Sequence, residues 1–264
     1  MIRPVACGGL LAVLSAGCGP LPETTPPRPP TLEEWRSALS ALRALGRDAA
    51  GGDPAGAEPR TLKLTLALRE PVSGRRMEAR GAVALSPKDR AVRMILVGPG
   101  GTTAFDLWIQ ADRFRVSIPA VDLLRRGDAR TPKAEMRGLP VDFLRWWFLD
   151  PTRGALLWSD TAPRGARYVL RDESAVTELL VRPDHRITAE RRTWSAAPSA
   201  SAPPPVLLDE EKVEADRFGC GRARYTQAST GVEIEITCEG VEPNPPSPRA
   251  FMDPDALEEG GDEP

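Results

Sequence analysis

Residues 91–119, AVRMILVGPGGTTAFDLWIQADRFRVSIP, decide the fold class of this chain. Apolar side chains occupy every second position in three short runs, at 92–96, 105–109 and 114–118. Such alternation is typical of strands that bury one face, and strands joined by turns as short as the GPGG at 98–101 pair antiparallel. The stretch therefore predicts an antiparallel sheet. Because no helix alternates with the strands, a doubly wound fold is excluded.

The same alternation extends in both directions along the chain. Upstream, TLKLTLALR at 61–69 and the row from Met77 to Leu85 predict two further strands. Downstream, candidate strands lie at 155–159, 166–171, 175–181, 186–194, 221–227 and 231–239. Between the candidate strands at 186–194 and 221–227, SAAPSASAPPP at 195–205 is a low-complexity loop.

Two segments have helical periodicity instead. Thr31 and Glu34 fit a capping box, and apolar residues then recur at three- and four-residue steps to about Leu45, so Gly46 and then GGDPAG at 51–56 are expected to end this helix. In GLPVDFLRWWFLDP at 138–151, Pro140 suits the first turn of a second helix, and Asp150-Pro151 is expected to end it. A shorter helical turn is predicted within 119–130.

The first eighteen residues predict export. A basic residue at position 3 precedes an apolar run at 5–16 that is too short to span a bilayer. The end of this run, Ser-Ala-Gly followed by Cys18, resembles the bacterial lipobox, in which the cysteine is acylated. We therefore expect a signal peptide at 1–17 and palmitate or a similar acyl chain on Cys18. An ordinary secretory signal with an incidental cysteine is the alternative.

The remaining boundaries follow from composition. Six prolines in the twelve residues after Cys18 predict an extended tether over 18–30, and the folded body is expected at 31–252. Residues 253–264 contain six acidic residues and no basic one, which predicts a disordered acidic tail.

Composition and motifs weigh against catalysis. The formal net charge of −2 gives no indication of a nucleic-acid partner. The single histidine, His185, excludes a histidine pair as a metal site. GPGGTT at 98–103 lacks the lysine of a phosphate-binding loop, and the sequence contains no nucleophile-elbow, zinc-protease or Cys-x-x-Cys motif. We therefore expect no enzyme activity, no cofactor and no metal.

Binding of apolar ligands is the function that the pattern favours. A sheet with one apolar face and two apolar-striped helices against it can enclose a cavity for acyl chains. The same residues can also pack into a dry core, and the sequence leaves these two alternatives open.

The order of these features resembles the LolA/LolB-like lipoprotein-localisation family, and in particular the outer-membrane lipoprotein receptor LolB. A helix with Trp35-Arg36, the hairpin stretch 91–119 and LPVDFLRWWFL at 139–149 carry the resemblance, which covers about residues 31–160. It implies a mainly β (α+β) fold, a half-open antiparallel barrel of eleven strands with helices over its concave face. It also implies a cavity for acyl chains, lined by Leu64, Leu66, Val83, Met94, Leu96, Phe105, Leu107, Leu144 and Trp147.

The resemblance implies a function and a location as well. The expected protein is anchored in the outer membrane through acylated Cys18, with its body facing the periplasm or the cell surface. It would bind acyl chains or lipoproteins that a periplasmic carrier protein delivers. The family's turn carries an exposed apolar residue that helps to insert lipoproteins, whereas the turn Pro99-Gly100-Gly101 has Gly100 at that place. A structural or interaction lipoprotein of the cell envelope, with no transported ligand, is the alternative.

Cys220 and Cys238 are expected to form a disulfide, because an exported chain meets oxidising conditions. A hairpin centred on Ser229 would place the two cysteines opposite each other. That register would also put Arg222 and Arg224 on the same face as two isoleucines, and a bulge at Gly231 would relieve this at the cost of direct opposition. Two buried free thiols are the alternative.

Overall fold

The computed structural model describes residues 30–51, 57–69, 71–128, 131, 135, 138–172, 175–195 and 206–259. The helices in these ranges are α1 (Leu32–Ala50), α2 (Val141–Leu149) and α3 (Pro254–Glu259), and 3₁₀ turns lie at Pro119–Val121 and Pro248–Phe251. The strands before α2 are β1 (Arg60–Arg69), β2 (Arg76–Ser86), β3 (Ala91–Val97), β4 (Thr103–Gln110), β5 (Arg113–Ile118) and β6 (Leu123–Gly127). The strands after α2 are β7 (Ala155–Ala162), β8 (Gly165–Arg171), β9 (Ala175–Val181), β10 (Ile187–Trp194), β11 (Leu207–Ala215), β12 (Arg222–Gln227) and β13 (Glu233–Val241). The predicted signal peptide, Cys18 and residues 18–29 of the predicted tether lie outside the described residues.

All of these strands belong to one sheet with the order β6-β5-β4-β3-β2-β1-β13-β12-β11-β10-β9-β8-β7. β1 pairs antiparallel with β2 on one side and with β13 on the other, so the first and last strands meet in the middle of the sheet. β6 and β7 are the two edges, and the sheet is open between them. The predicted fold class, a mainly β antiparallel half-open sheet with helices, is confirmed. The sheet has 13 strands rather than the eleven that the resemblance implies.

The two strands that the sequence does not predict lack apolar alternation. β6 lies in the segment where a helical turn is expected, and only the 3₁₀ turn at Pro119–Val121 is helical there. β11 reads LLDEEKVEA, and two of its buried positions are the acidic residues Asp209 and Glu211. Because the pattern expected of a strand is apolar side chains inside, β11 does not look like one in the sequence.

The helix α1 begins at the predicted capping box and ends after Gly46, at the second of its two expected stops. Thr31 Oγ1 accepts a hydrogen bond from the Glu34 backbone N–H, and the Glu34 carboxylate accepts one from the Thr31 N–H, which completes the capping box. The helix continues through Gly46, the first expected stop, and ends at Ala50, directly before the second expected stop at 51–56. A Cβ at Gly46 would lie 2.9 Å from Thr152 Oγ1, so this glycine allows close approach of the link after α2. The end is Gly51 in the left-handed conformation, a common helix C-terminus.

A C-terminal arm, residues 242–259, crosses the outer face of β3, β4 and β5. The indole N–H of Trp108 donates to the Phe251 carbonyl at 2.9 Å. Arg115 Nε donates to Asp255 Oδ1 at 3.0 Å, and Asp255 also pairs with Arg126. Within the predicted acidic tail, residues 254–259 form α3, and Asp255 has cationic partners on the sheet. Residues 260–264 lie outside the described residues.

The expected disulfide between Cys220 and Cys238 is confirmed, with a Cα–Cα distance of 5.0 Å. Of the two registers that the sequence leaves open for its hairpin, the structure has the one shifted by one residue from direct opposition of the cysteines. Ala223 and Tyr225 lie opposite Ile236 and Ile234, and the neighbouring arginines therefore point to the outer face. Gly231 absorbs the extra residue with a φ of +70°. Cys220 consequently precedes β12, and the Cys238 N–H donates to the Gly221 carbonyl at 3.0 Å.

Candidate functional site

The helix α2 lies against the inner face of the sheet and is apolar almost all round. Pro140 is its N-cap and Asp150 its C-cap, as the sequence predicts. Seven of its nine residues are buried, and Asp142 and Arg145 are the two exceptions. A helix that is apolar on every side is stable only when it is surrounded by other apolar groups. α2 therefore functions as a core element of the site and not as a surface helix.

Aromatic rings attach α2 to β12 and to the segment before it. Phe143 stacks on Tyr225 of β12 with ring centroids 4.0 Å apart. Trp147 contacts Phe218, in the segment before β12, with centroids 5.3 Å apart. The disulfide at Cys220 holds that same segment to β13. The position of α2 is thus linked to the hairpin that the disulfide closes.

The structure brings the predicted lining residues together. Leu64, Leu66, Val83, Met94, Leu96 and Leu107 lie on the strands, Leu144 and Trp147 lie on α2, and all of them are buried in one apolar cluster, with Phe105 packed against it. Leu96, Leu107 and Leu144 have no exposed surface at all. The predicted lining residues are therefore packed against one another, with those on the strands facing those on α2.

The inner face of β9–β12 carries polar side chains among its apolar ones, which the sequence did not indicate. Thr177, Arg191, Glu211 and Gln227 lie directly opposite one another on four neighbouring strands. Arg191 Nη1 donates to Glu211 Oε2 at 3.0 Å, and Tyr225 Oη donates to Glu211 Oε1 at 2.9 Å. We call these residues, with Tyr225, the polar row. The signal that could have found it is the spacing of Asp209 and Glu211 two residues apart, in phase with buried Val213.

The polar row is electrostatically paired. Burial raises the pKa of Tyr225 well above its usual value, and the negative Glu211 carboxylate that accepts its hydrogen bond raises it further. Asp209 accepts hydrogen bonds from the Gln227 side chain and from the backbone N–H groups of Glu210 and Ser229. The hydroxyl of buried Thr193 has no hydrogen-bond partner within the described residues. Because these polar groups are already buried, a ligand that contacts them removes little further water from them.

A groove of about 550 Å³ lies between α1 and the strands β7 and β8. Its α1 wall includes Glu34, Ser37, Ala38 and Ala41, and its strand wall is the run 158–161 together with Tyr168. None of the nine predicted lining residues contributes to it. The groove is thus a space at the open edge of the sheet that the sequence did not predict.

The predicted turn lies at the tip of the β3–β4 hairpin. Gly98 N–H donates to the Thr102 carbonyl at 2.9 Å, and Gly100 and Gly101 both have positive φ angles. Pro99, Gly100 and Gly101 are exposed or half-buried and present no large apolar side chain there. Within the described ranges, no group of three or more histidine, cysteine or acidic side chains is placed to hold a metal ion. In the same ranges no helix is both long and apolar enough to cross a membrane.

Comparison with known proteins supports the fold. No protein-family model matches the chain, and no curated protein matches it either. Among solved structures, a DUF1329 family protein from Desulfovibrio piger is 14% identical, covers 83% of this chain and 99% of its own, and has a TM-score of 0.53. A LolA superfamily protein from Nitrosomonas europaea is 11% identical, covers 83% of this chain and 97% of its own, and has a TM-score of 0.50. This chain therefore has a LolA-like fold.

Proposed function

We propose that the protein binds the acyl chains of lipids or lipoproteins on the inner face of its open sheet, in the manner of LolB. The observation that carries this proposal is the apolar cluster itself. Among the described residues, the apolar inner face of the sheet is covered by the nine-residue helix α2 and by α1, and not by a second sheet. A short covering helix can be displaced by a ligand of the same apolar character, whereas the face of a second sheet cannot.

The energy of such an exchange is close to balanced. Burial of a methylene group contributes about 0.8 kcal/mol, so a palmitoyl chain gains roughly 10 kcal/mol when it leaves water for the cluster. The ligand loses nothing by replacing Leu144 or Trp147 against the strands, because it offers the same apolar contacts. The cost is the exposure of the displaced α2 side chains. Binding is therefore expected to be reversible, as a protein that passes lipids on requires.

The location belongs to the same proposal. Acylated Cys18 would anchor the protein in the outer membrane, and the Pro-rich tether would hold the body in the periplasm or at the cell surface. A periplasmic carrier protein would deliver the ligand. Catalysis has no part in this function, since binding and release are sufficient.

The experiment uses the chain from Gly19 onward and a fluorescent 16-carbon fatty acid. Saturable binding that palmitate competes away is expected. Trp147→Leu should change the affinity, because the side chain contacts the ligand site, whereas Leu157→Ala, on the exposed side of β7, is the matched control and should not. A folded chain with no saturable binding of any acyl probe would contradict the proposal.

One observation favours the second candidate, a structural or interaction lipoprotein without a transported ligand. The predicted lining residues are packed against α2 with almost no exposed surface. If the cluster is a permanent core, the fatty acid will not bind and Trp147→Leu will change only the stability. The same two measurements therefore separate the two candidates.

A further inference from the structure

The groove between α1 and β7 has a geometry that differs from that of an apolar pocket. Four consecutive residues of β7, at 158–161, line it. Successive side chains of a strand point to opposite faces of the sheet, so one cavity can touch four in a row only if it lies along the edge of the strand. The edge is where the backbone N–H and C=O groups point. The groove therefore exposes main chain rather than one set of side chains.

β7 is free to accept a partner along this edge. In the sheet it neighbours β8 alone, so its other side has no partner strand among the described residues. A bulge between Leu156 and Trp158 interrupts the pairing, and from Trp158 to Ala162 the register with β8 is regular. A strand edge of this kind is a template for a further strand. Four residues of extended chain span roughly 13 Å at the usual rise of a strand.

The opposite wall leaves room for that strand. Ser37, Ala38 and Ala41 have small side chains and lie on one face of α1. Tyr168 closes the floor with a buried side chain, and burial raises the pKa of its hydroxyl. No described residue is hydrogen-bonded to that hydroxyl, so it can donate to a bound group. The charged side chains that line the groove are the carboxylates of Glu34 and Asp160.

We propose that this groove binds an extended polypeptide segment, which adds as a strand to the free edge of β7 beneath α1. The inference rests on the proposed function for the identity of the partner, which is the N-terminal segment of a lipid-bearing protein whose acyl chains occupy the inner face. Main-chain hydrogen bonds supply the affinity, as in other cases of strand addition. The two carboxylates favour a segment with basic rather than acidic side chains, although Arg167 lies opposite Asp160 and offsets part of this preference.

The test compares two probes on the chain from Gly19 onward. One is a triacylated lipopeptide with the sequence Cys-Ser-Lys-Lys-Lys-Lys, and the other is triacylated cysteine amide without the peptide. The affinity of each probe is measured by its displacement of the bound fluorescent fatty acid. The lipopeptide is expected to bind about tenfold more tightly or better, because several net-favourable hydrogen bonds are added. Equal affinity of the two probes overturns the inference. An advantage of the lipopeptide that disappears in 1 M salt also overturns it, because salt at that concentration screens attraction between exposed charges and such an advantage would come from the lysines rather than from main-chain hydrogen bonds.

A backbone scan identifies the mode of binding. Successive N-methylation of the peptide nitrogens should weaken binding about fivefold at every second position and less than twofold between them, since alternate N–H groups of an added strand face its partner. Losses without this period of two contradict strand addition. Ala41→Trp fills the groove from an exposed position of α1 and should abolish the peptide's advantage. Ser40→Trp, exposed on the same helix outside the groove, should leave it unchanged.

The outcomes keep the two proposals apart. If triacylated cysteine amide binds and the peptide adds nothing, the groove proposal fails while the proposed function stands. If neither lipid probe binds, the proposed function fails, and the groove proposal fails as stated because its partner was a lipid-bearing protein. A circular dichroism spectrum of Ala41→Trp identical to that of the unmodified chain shows that the variant is folded.

Discussion

Replacing Cys220 and Cys238 by serine removes the bond that joins β13 to the segment before β12. The two cysteines are 18 residues apart. For a closed loop of that length the chain-entropy estimate gives about 3 kcal/mol of stabilisation, through restriction of the unfolded chain. We therefore expect the double serine variant to lose about 3 kcal/mol of unfolding free energy.

The native structure should survive this loss, because other contacts hold the same segment. The Cys238 N–H donates to the Gly221 carbonyl at 3.0 Å, and the Arg222 N–H donates to Asp216 Oδ1 at 2.7 Å. Phe218 is buried against Trp147. The aromatic environment of Trp147 should thus be unchanged in the variant, and its near-UV circular dichroism should match that of the oxidised protein.

Guanidinium chloride unfolding measures the effect. For a domain of this size, with a slope of about 5 kcal/mol/M, the midpoint should fall by about 0.6 M, and the slope should increase because the unfolded chain exposes more surface. Reduction of the unmodified protein should give the same shift. Phe218→Ala is the control for packing and should keep its disulfide while losing near-UV signal. In the reduced unmodified protein, thiol titration should count two free thiols from this pair. If the midpoint of that reduced protein equals the midpoint of the oxidised protein, the entropic argument is refuted.

Further predictions concern other parts of the chain. Cys18→Ala should abolish labelling by a palmitate analogue and membrane fractionation, and label that persists would remove the lipidation site. Tyr168 and Tyr225 are the chain's two tyrosines, and burial raises the pKa of both. Ultraviolet titration at about pH 10 should therefore show less tyrosinate in the folded than in the unfolded protein, and stability should fall as the pH rises through that range, because the unfolded tyrosines ionise first. Leu96→Asp should prevent folding, since truncation alone of such a buried residue costs about 2–5 kcal/mol, and a cooperative thermal transition in this variant would contradict the packed cluster. Asp255→Ala should cost about 1 kcal/mol, since the ion pairs it removes are only partly buried, and a thermal melt measures it.

The parts of the fold that the sequence predicts are those whose signals are local. β1 to β5 alternate apolar and polar residues within short hairpins, and the buried leucines of β1 follow directly from that pattern. α2 is bounded by Pro140 and Asp150 in the sequence and in the structure alike. In these elements the local preference and the tertiary environment agree, which is why sequence reasoning succeeds there.

The parts that it misses depend on partners far away in the chain. β11 is buried with acidic residues inside because Arg191 and Tyr225 on neighbouring strands receive Glu211. α3 is ordered because Arg115 lies 140 residues earlier on the sheet. The β12–β13 register depends on one positive φ at Gly231. Periodicity and composition do not contain the long-range partners of β11 and α3, whereas the register that Gly231 allows is one of the two that the hairpin sequence leaves open.

The same long-range pairings give the two proposals a common orientation. Phe143 stacks on Tyr225, and Tyr225 donates to Glu211, so α2 lies where the apolar cluster meets the polar row. A ligand that displaces α2 meets apolar side chains on β1–β4, and on β9–β12 it meets the polar row among further apolar side chains. Because the sheet order continues from β9 through β8 to β7, the polar row lies on the side of the inner face that leads to the groove at the free edge. An acyl chain would therefore lie towards β1–β4, and a polypeptide attached to it would leave along β7, which is the arrangement that the lipopeptide experiment requires.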